Sequence, residues 1–367
     1  MNAQPTGRVF IEKRLPHFLP VGLAVAMGAS HWRTEGFHRS YRTFMKMLGF
    51  QIPNFTFPGV TNDKLFDHIA MLANTAERAG FDSVWVMDHF YQLPTIGLRT
   101  EPMLEGYTAL AGIAARTKTV RIGTLVTGVT YRNPTLLAKT VTTLDIVSSG
   151  RAILGLGAAW NEDEHRGYGY DFPPVGERIS RLEEALQICR AMFRDEAPTF
   201  EGRYYRIQGA LNFPRPIQPN GPPIMIGGGG EQRTLKLVAQ YADMCNIFGD
   251  VATVRHKMEV LARHCETQGR DPNTIVKTRL GSLIIRKTDA EADRLFEQVL
   301  NRPGIDKDRM RATFIVGGPD RVTEQAQQFL DAGLDGLIFN MPRMEDPEAI
   351  ELAGETLAGL RQATAAR

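Results

Sequence analysis

From Leu48 onward the chain alternates between short apolar runs and amphipathic stretches of helical period. The apolar runs are LGFQIPNF, SVWVMDHF, VRIGTLVTGV, AILGLGAAW, PIMIGG, DMCNIFG, TRLGSLIIRK and GLIFNMP. Each is nearly continuous in its apolar character, as parallel strands covered on both faces should be. The first helix, 63–79, places Leu65, Phe66, Ile69, Leu72, Ala73 and Ala76 on one face and ends at Gly80, which suits a left-handed C-terminal cap. Further helices are expected at 105–117, 134–148, 177–193, 231–240, 251–268, 320–332 and 346–364. One joint recurs: RAGFDSVWV, QYADMCNIF and DAGLDGLIF each lead a helix end into a strand, with Asp82, Asp243 and Asp335 just ahead of it. Eight βα units in about 320 residues predict an α/β fold, a (β/α)8 TIM barrel with an insertion between strands 4 and 5. A doubly wound sheet is the rival, but Gly155–Trp160, GLGAAW, has only the first two glycines of the dinucleotide fingerprint. The insertion contains FEGRYYRI and NFPRPIQPNGPP, read as a hairpin and an extended wrap; a lid and a plain surface excursion both remain open.

Composition narrows the class. Hydrophobic residues make up 43% and charged residues 23% of the 367, ordinary for a globular chain. The first 47 residues carry seven Lys/Arg and two Glu, whereas the remaining 320 carry 36 basic and 39 acidic side chains. The main body therefore has no basic surplus to suggest nucleic acid. No apolar run is long enough to suggest a membrane span. Cys189, Cys245 and Cys265 lack metal or redox spacing, which points to a reducing, cytoplasmic setting. Residues 1–46 differ in kind and are read as a poorly ordered extension ahead of a barrel domain at 47–367. A targeting peptide built on Leu19–Ser30, behind Lys13 and Arg14, is a further reading of the same stretch.

The chemistry of a TIM barrel collects at the C-terminal ends of its strands. That rule selects Pro53–Phe55, Asp88–Phe90, Thr124–Thr127, Gly157–His165 and the glycine run Gly227–Gly230. Four consecutive glycines are costly in backbone entropy unless bare main chain is needed. Feeding a helix, they present N–H groups and the positive end of a helix dipole, a phosphate seat; a flexible loop is the bland alternative. Clustered His/Cys, a nucleophile elbow and a P-loop lysine are all missing, so no metal is expected. An apolar mouth with one phosphate cradle suits a flat, phosphorylated redox cofactor. A phosphate-ester isomerase or lyase would need a strand-end lysine or carboxylate pair, and only Asp88 qualifies clearly.

The segments VWVMDHF, IGTLVTGVTYRNPTLLAK, GRAILGLGAAWNEDEHRGYG and IMIGGGGEQRTLKLVAQYAD, in this order, resemble the luciferase-like monooxygenase superfamily. They are most similar to its branch that uses the deazaflavin coenzyme F420, over about residues 47–360. The resemblance implies an oxidoreductase transferring hydride between F420 and an organic small-molecule substrate; an FMN-dependent monooxygenase is the alternative. It implies Asp88 and His89 near the cofactor or substrate, and His89, then His165, as proton donors. Leu125, Val126 and Thr127 would form a strand-3 bulge, often with a non-proline cis peptide, behind the ring. Ala158 and Ala159 would lie along the ring, and Gly227, Gly228, Gly229 and Gly230 would hold the phosphate. Asn54, Trp160, Asn161 and Glu164 would line the substrate pocket. A helix start at VGGPDRV offers a second anion site or a plain cap. Family members are often dimers, so a homodimer is allowed.

Overall fold

A computed structural model of the chain describes residues 47–301, 307–342 and 346–362. The extension expected at residues 1–46 lies outside the described residues. Eight parallel strands form the barrel: β1 (Met47–Ile52), β2 (Ser83–Val86), β3 (Arg121–Thr124), β4 (Ala152–Gly157), β5 (Ile224–Gly227), β6 (Met244–Ile247), β7 (Val276–Ile285) and β8 (Gly336–Asn340). They pair in chain order, and β8 closes onto β1 with Met47 opposite Gly336 and Gln51 opposite Asn340. All eight expected strands are present, each shorter than the apolar run that announced it except β7, which equals its run in length and starts two residues earlier.

The barrel is filled from within by one small cluster. Met47, Trp85, Ile153, Met225, Met244 and Ile338 meet there, joined by Leu125, Val126, Val276 and Leu280, so every strand contributes except β3, which is represented by the residues just after it. Alternation along each strand sends the other face outward, where it joins the much larger layer shared with the helices. Helix α1 (Asn62–Arg78) buries Leu65, Ile69, Leu72, Ala73 and Ala76, the face read from the sequence. Next come α2 (Gly106–Arg116) and α3 (Pro134–Val147); Glu105 and Asn133 accept main-chain N–H groups at their starts.

The recurring joint has a physical purpose. Asp82, Asp243 and Asp335 each sit before a strand and accept the N–H of the first residues of the preceding one. The bonds are Leu48 N to Asp82 at 2.8 Å, Ile224 N to Asp243 at 2.8 Å and Lys277 N to Asp335 at 2.9 Å. In return, each aspartate's own N–H donates to that same residue's carbonyl. The carboxylate thus sets the stagger between neighbouring strands at the floor of the barrel.

Between β4 and β5 the chain makes α4 (Glu162–Tyr168), α5 (Val175–Arg194) and an antiparallel hairpin pairing Phe200–Glu201 with Arg206–Ile207. The helix expected at 231–240 begins later, as α6 (Thr234–Tyr241), because residues 231–233 form a turn. After α7 (Val251–Thr267) and β7 comes an excursion that the sequence reading passed over. It comprises α8 (Asp289–Val299), α9 (Lys307–Thr313) and an outer strand, Phe314–Gly317, that pairs with Ser282–Ile285. A reciprocal capping box between Thr288 and Glu291 starts α8 and was its sequence signal. Helices α10 (Pro319–Asp331) and α11 (Pro347–Gln362) flank β8.

Replacing Asp243 by alanine removes the Ile224 bond and the 2.7 Å ion pair with Arg190. Both partners are largely buried, so the expected cost is about 2–3 kcal/mol. A urea unfolding midpoint that falls accordingly, with an unchanged m-value, is the check.

Candidate active site

The C-terminal mouth is an open well. Its deep lining, Trp85, Ile153, Met225, Met244 and Ile338, is 0–2% exposed. Higher up, Leu125, Val126, Ala158, Gly227, Ser282 and Asn340 are partly exposed. One wall is formed by the bulge after β3, where the Leu125–Val126 peptide is cis. Val126 packs over the seam between β4 and β5, and glycines make the room for it. A Cβ at Gly227 would lie 2.6 Å from Val126, one at Gly157 would lie 2.9 Å from it, and one at Gly155 would run into the Thr124 carbonyl. The GLG of β4 is therefore a packing clearance. It leaves a smooth apolar wall of Leu125, Val126 and Ala158.

Beyond that wall the glycine run turns into α6. Gly228 has φ +121°, in the region that favours glycine, and its N–H is spent on the Asn246 carbonyl at 3.0 Å. The N–H groups of Gly229 and Gly230 have no partner among the described residues, and no side chain caps them. Lys257 stands beside the run; its Cε is 3.7 Å from where a Gly229 Cβ would be, and its Nζ is 2.5 Å from Glu231. The run thus offers an anion two unspent donors, a helix start and an adjacent ammonium. Lys257 was missed in the sequence because it lies 28 positions downstream, on another helix, with no motif to mark it.

The residues after β2 divide into two buried carboxylate centres. Asp88, 2% exposed, receives Arg132 in a two-point pair at 2.6 and 3.0 Å. Burial pushes its carboxyl up, with Arg132 pulling the other way. Thr127 is fully buried and shares hydroxyl bonds with Tyr107 and Thr124, both 2.7 Å. Glu164 is also fully buried. It accepts the N–H groups of Phe90 and Tyr91 at 2.6 and 2.9 Å, the Tyr131 hydroxyl at 2.9 Å and His89 Nδ1 at 2.7 Å. Burial alone would raise it, but these donors together hold it below the usual carboxylate value.

His89 is consequently fixed at Nδ1, while Nε2 has no hydrogen-bond partner among the described residues. Its ring meets Trp160 edge-on, with centroids 5.5 Å apart, and Trp160 itself is 63% exposed at the rim. The other histidine differs. His165 is fully buried, with Nε2 against Thr130 at 2.6 Å and Nδ1 against the Asn161 carbonyl at 2.7 Å. Both nitrogens are spent, so it holds α4 in place and has no open edge for a substrate. Asn161 caps α4 through Asp163 N, and Asn54 bonds the Thr56 carbonyl at 3.1 Å. Ala159 adopts φ +60°, and the Ala158 carbonyl accepts Arg178 at 3.0 Å. The structure thus leaves His89 and Trp160 open, with Leu125, Val126, Ala158 and Gly227–Gly230 on the well wall. It buries Asp88, Thr127, Glu164 and His165 behind them.

VGGPDRV, read as an anion site or a plain helix cap, has a carboxylate of the chain against it: Asp289 accepts Gly318 N at 2.7 Å. A groove of about 960 Å³, lined at one end by His89 and Phe90, runs along the outer flank between α2 and α3.

Because Glu164 is lowered in the folded state, its contribution is complete above the ordinary carboxylate pKa. It fades as pH falls through the lowered native value. Glu164→Gln leaves at least one main-chain donor without a charged acceptor, at a cost of about 2–3 kcal/mol at pH 7. Thermal melts from pH 7 to pH 3 should show that the gap between wild type and variant closes in acid.

Comparisons with known proteins agree with this architecture. An F420-dependent glucose-6-phosphate dehydrogenase of Amycolatopsis mediterranei is 30% identical over 298 residues, covering 73% of this chain and 86% of that protein. A protein of the same description from Nocardia farcinica is 29% identical over 329 residues, covering 78% and 91%. Among solved structures, an F420-dependent secondary alcohol dehydrogenase in complex with an F420-acetone adduct superposes with a TM-score of 0.72 at 20% identity, over 86% of this chain and 99% of that one, a likeness of fold. Residues 47–305 match the family described as luciferase-like monooxygenase, and the chain belongs to that family.

Proposed function

We propose that this protein is an F420-dependent oxidoreductase that moves a hydride between the deazaflavin and an organic substrate. The observation that carries the reading is the pair of unspent main-chain donors at Gly229 and Gly230, beside an apolar wall without side-chain obstruction. The residues fit the cofactor: Gly229, Gly230 and Lys257 would hold its phosphate, and Leu125, Val126 and Ala158 would back its ring. The deazaflavin supplies hydride chemistry at C5. The protein's task is to set ring and substrate face to face and to keep water out.

His89 is the group proposed to move the proton. Glu164, ionised and buried, accepts the Nδ1–H hydrogen bond and fixes the tautomer, so Nε2 is the atom that takes a proton from a substrate hydroxyl and, once protonated, gives it back. Trp160 bounds the ring of His89 on its open side. Asp88 with Arg132 is proposed to stiffen the loop that carries His89, not to react.

Fluorescence titration of the purified protein with F420 and with FMN tests the cofactor assignment. F420 is expected to bind and FMN much more weakly; tight FMN binding without F420 binding would overturn the proposal. Gly229→Val has room for its side chain, since the nearest atom to its Cβ is Lys257 Cε at 3.7 Å. It should keep the native melting profile and lose F420 retention. His89→Gln should keep F420 affinity and lower turnover by roughly 10²–10⁴-fold, the usual worth of a positioned acid or base.

A further inference from the structure

The wall of the well opposite the glycine run has a different chemistry. Strands β7, β8 and β1 lie across the barrel from β3, β4 and β5. At one level the register brings Ser282 beside Asn340 and Asn340 beside Gln51. These are inward positions, and Trp85 adjoins Gln51 in the same row. Ser282 Oγ lies 2.6 Å from Asn340 Oδ1 and donates to it. That leaves the Asn340 amide N–H₂ unspent among the described residues. Gln51 is 1% exposed overall. Its side-chain amide makes no hydrogen bond among the described residues, yet neither amide atom is one of the fully buried unpartnered ones, so the amide keeps a narrow access to the well. The row therefore presents N–H donors and one carbonyl acceptor, all uncharged.

Among the described residues, the same region shows no second seat for a phosphate. The helix start after β6 is closed by Asp250, whose carboxylate accepts Thr253 N at 2.8 Å. At the start of α10, Asp289 accepts the N–H of the cap residue Gly318 and pairs with Arg321 at 3.1 Å. Both carboxylates repel an approaching anion. Arg286, just past β7, donates to the Ile285 carbonyl at 2.8 Å and faces Asp346 at 3.8 Å. Two large apolar side chains stand exposed at the rim, Trp160 at 63% and Phe248 at 60%. The well so described has one anion seat, which the cofactor phosphate takes, and a dianion pushed against the opposite wall would be desolvated without a counter-charge.

We infer that the substrate is an uncharged, largely apolar alcohol or ketone whose oxygen is held by the neutral row Gln51–Asn340–Ser282, and that a sugar phosphate is not accepted. In the oxidative direction the substrate C–H hydride goes to the deazaflavin and the hydroxyl proton to His89; in the reductive direction both return. This rests on the cofactor reading, and the experiment separates the two. F420 affinity is measured first, by fluorescence, for wild type and each variant, and its loss would count against the cofactor seat alone. The holoenzyme is then followed by F420 absorbance with a panel of cyclohexanol, 2-butanol, glucose and glucose 6-phosphate, with cyclohexanone against reduced F420.

The expected result is saturable conversion of at least one of the apolar alcohols or cyclohexanone, with kcat/KM for glucose 6-phosphate at least 100-fold lower. Gln51→Leu and Ser282→Ala should each raise KM for that apolar substrate about tenfold or more, with a smaller change in kcat and F420 affinity within twofold. Saturable glucose 6-phosphate oxidation at or above the best uncharged rate overturns the inference. So does conversion of none of the uncharged compounds, or unchanged KM in both variants.

Discussion

Bare main chain at the seam between β4 and β5 is the constraint on which the rest of the site rests. Val126 leans across that seam, into space that a side chain at 155, 157 or 227 would occupy. Because it can, the wall of the well is flat and apolar, and the chain leaves β5 without a side chain to block its own amides. Gly228 then turns the backbone at a positive φ and gives its N–H to Asn246. The next two N–H groups are left without internal partners. Elsewhere around the mouth, carboxylates cap the starts of α2 and α7, and Asp289 accepts the N–H just ahead of α10. That contrast singles out the glycine run ahead of α6 as the proposed ligand seat.

The proposed proton chemistry depends on a second division, between groups that are spent and groups that are not. Two buried carboxylates stand in or against the loop that carries His89, and each is satisfied by protein donors. Asp88 is locked to Arg132, and Glu164 gathers four donors, one of them His89 itself. A buried, ionised acceptor at Nδ1 is the arrangement that fixes an imidazole tautomer and leaves the opposite nitrogen available. His165 shows the contrast: with both nitrogens engaged it has become part of the scaffold.

The barrel was legible because a parallel strand buried on both faces must be apolar throughout, and eight such runs alternate with helical periods. The joint aspartates were legible as a repeat, although their bond to the preceding strand needed coordinates. The α8–α9 excursion was not recognised, since its helices are short and polar; Thr288 and Glu291 were its available signal. The site was legible where it depends on main chain, as at Gly227–Gly230. It was less so where it depends on side-chain partners distant in sequence. Glu164 and His89 are 75 residues apart, and Asp88 and Arg132 are 44 apart. Spacing alone therefore could not tell a reactive carboxylate from a supporting one. Gln51 and Asn340 carried a faint mark, as the polar residues next to the end of β1 and at the end of β8.

The central claim is that the amides of Gly229 and Gly230 hold the cofactor by its phosphate. The most direct measurement compares, by fluorescence at fixed ionic strength, the affinity for F420 with that for its dephosphorylated ribityl deazaflavin. The account predicts that removing the phosphate and its tail weakens binding by about 100-fold or more, in line with the loss of two or more charge-assisted bonds, and that added inorganic phosphate competes with F420. Equal affinity for the two compounds, with no competition from phosphate, would contradict it.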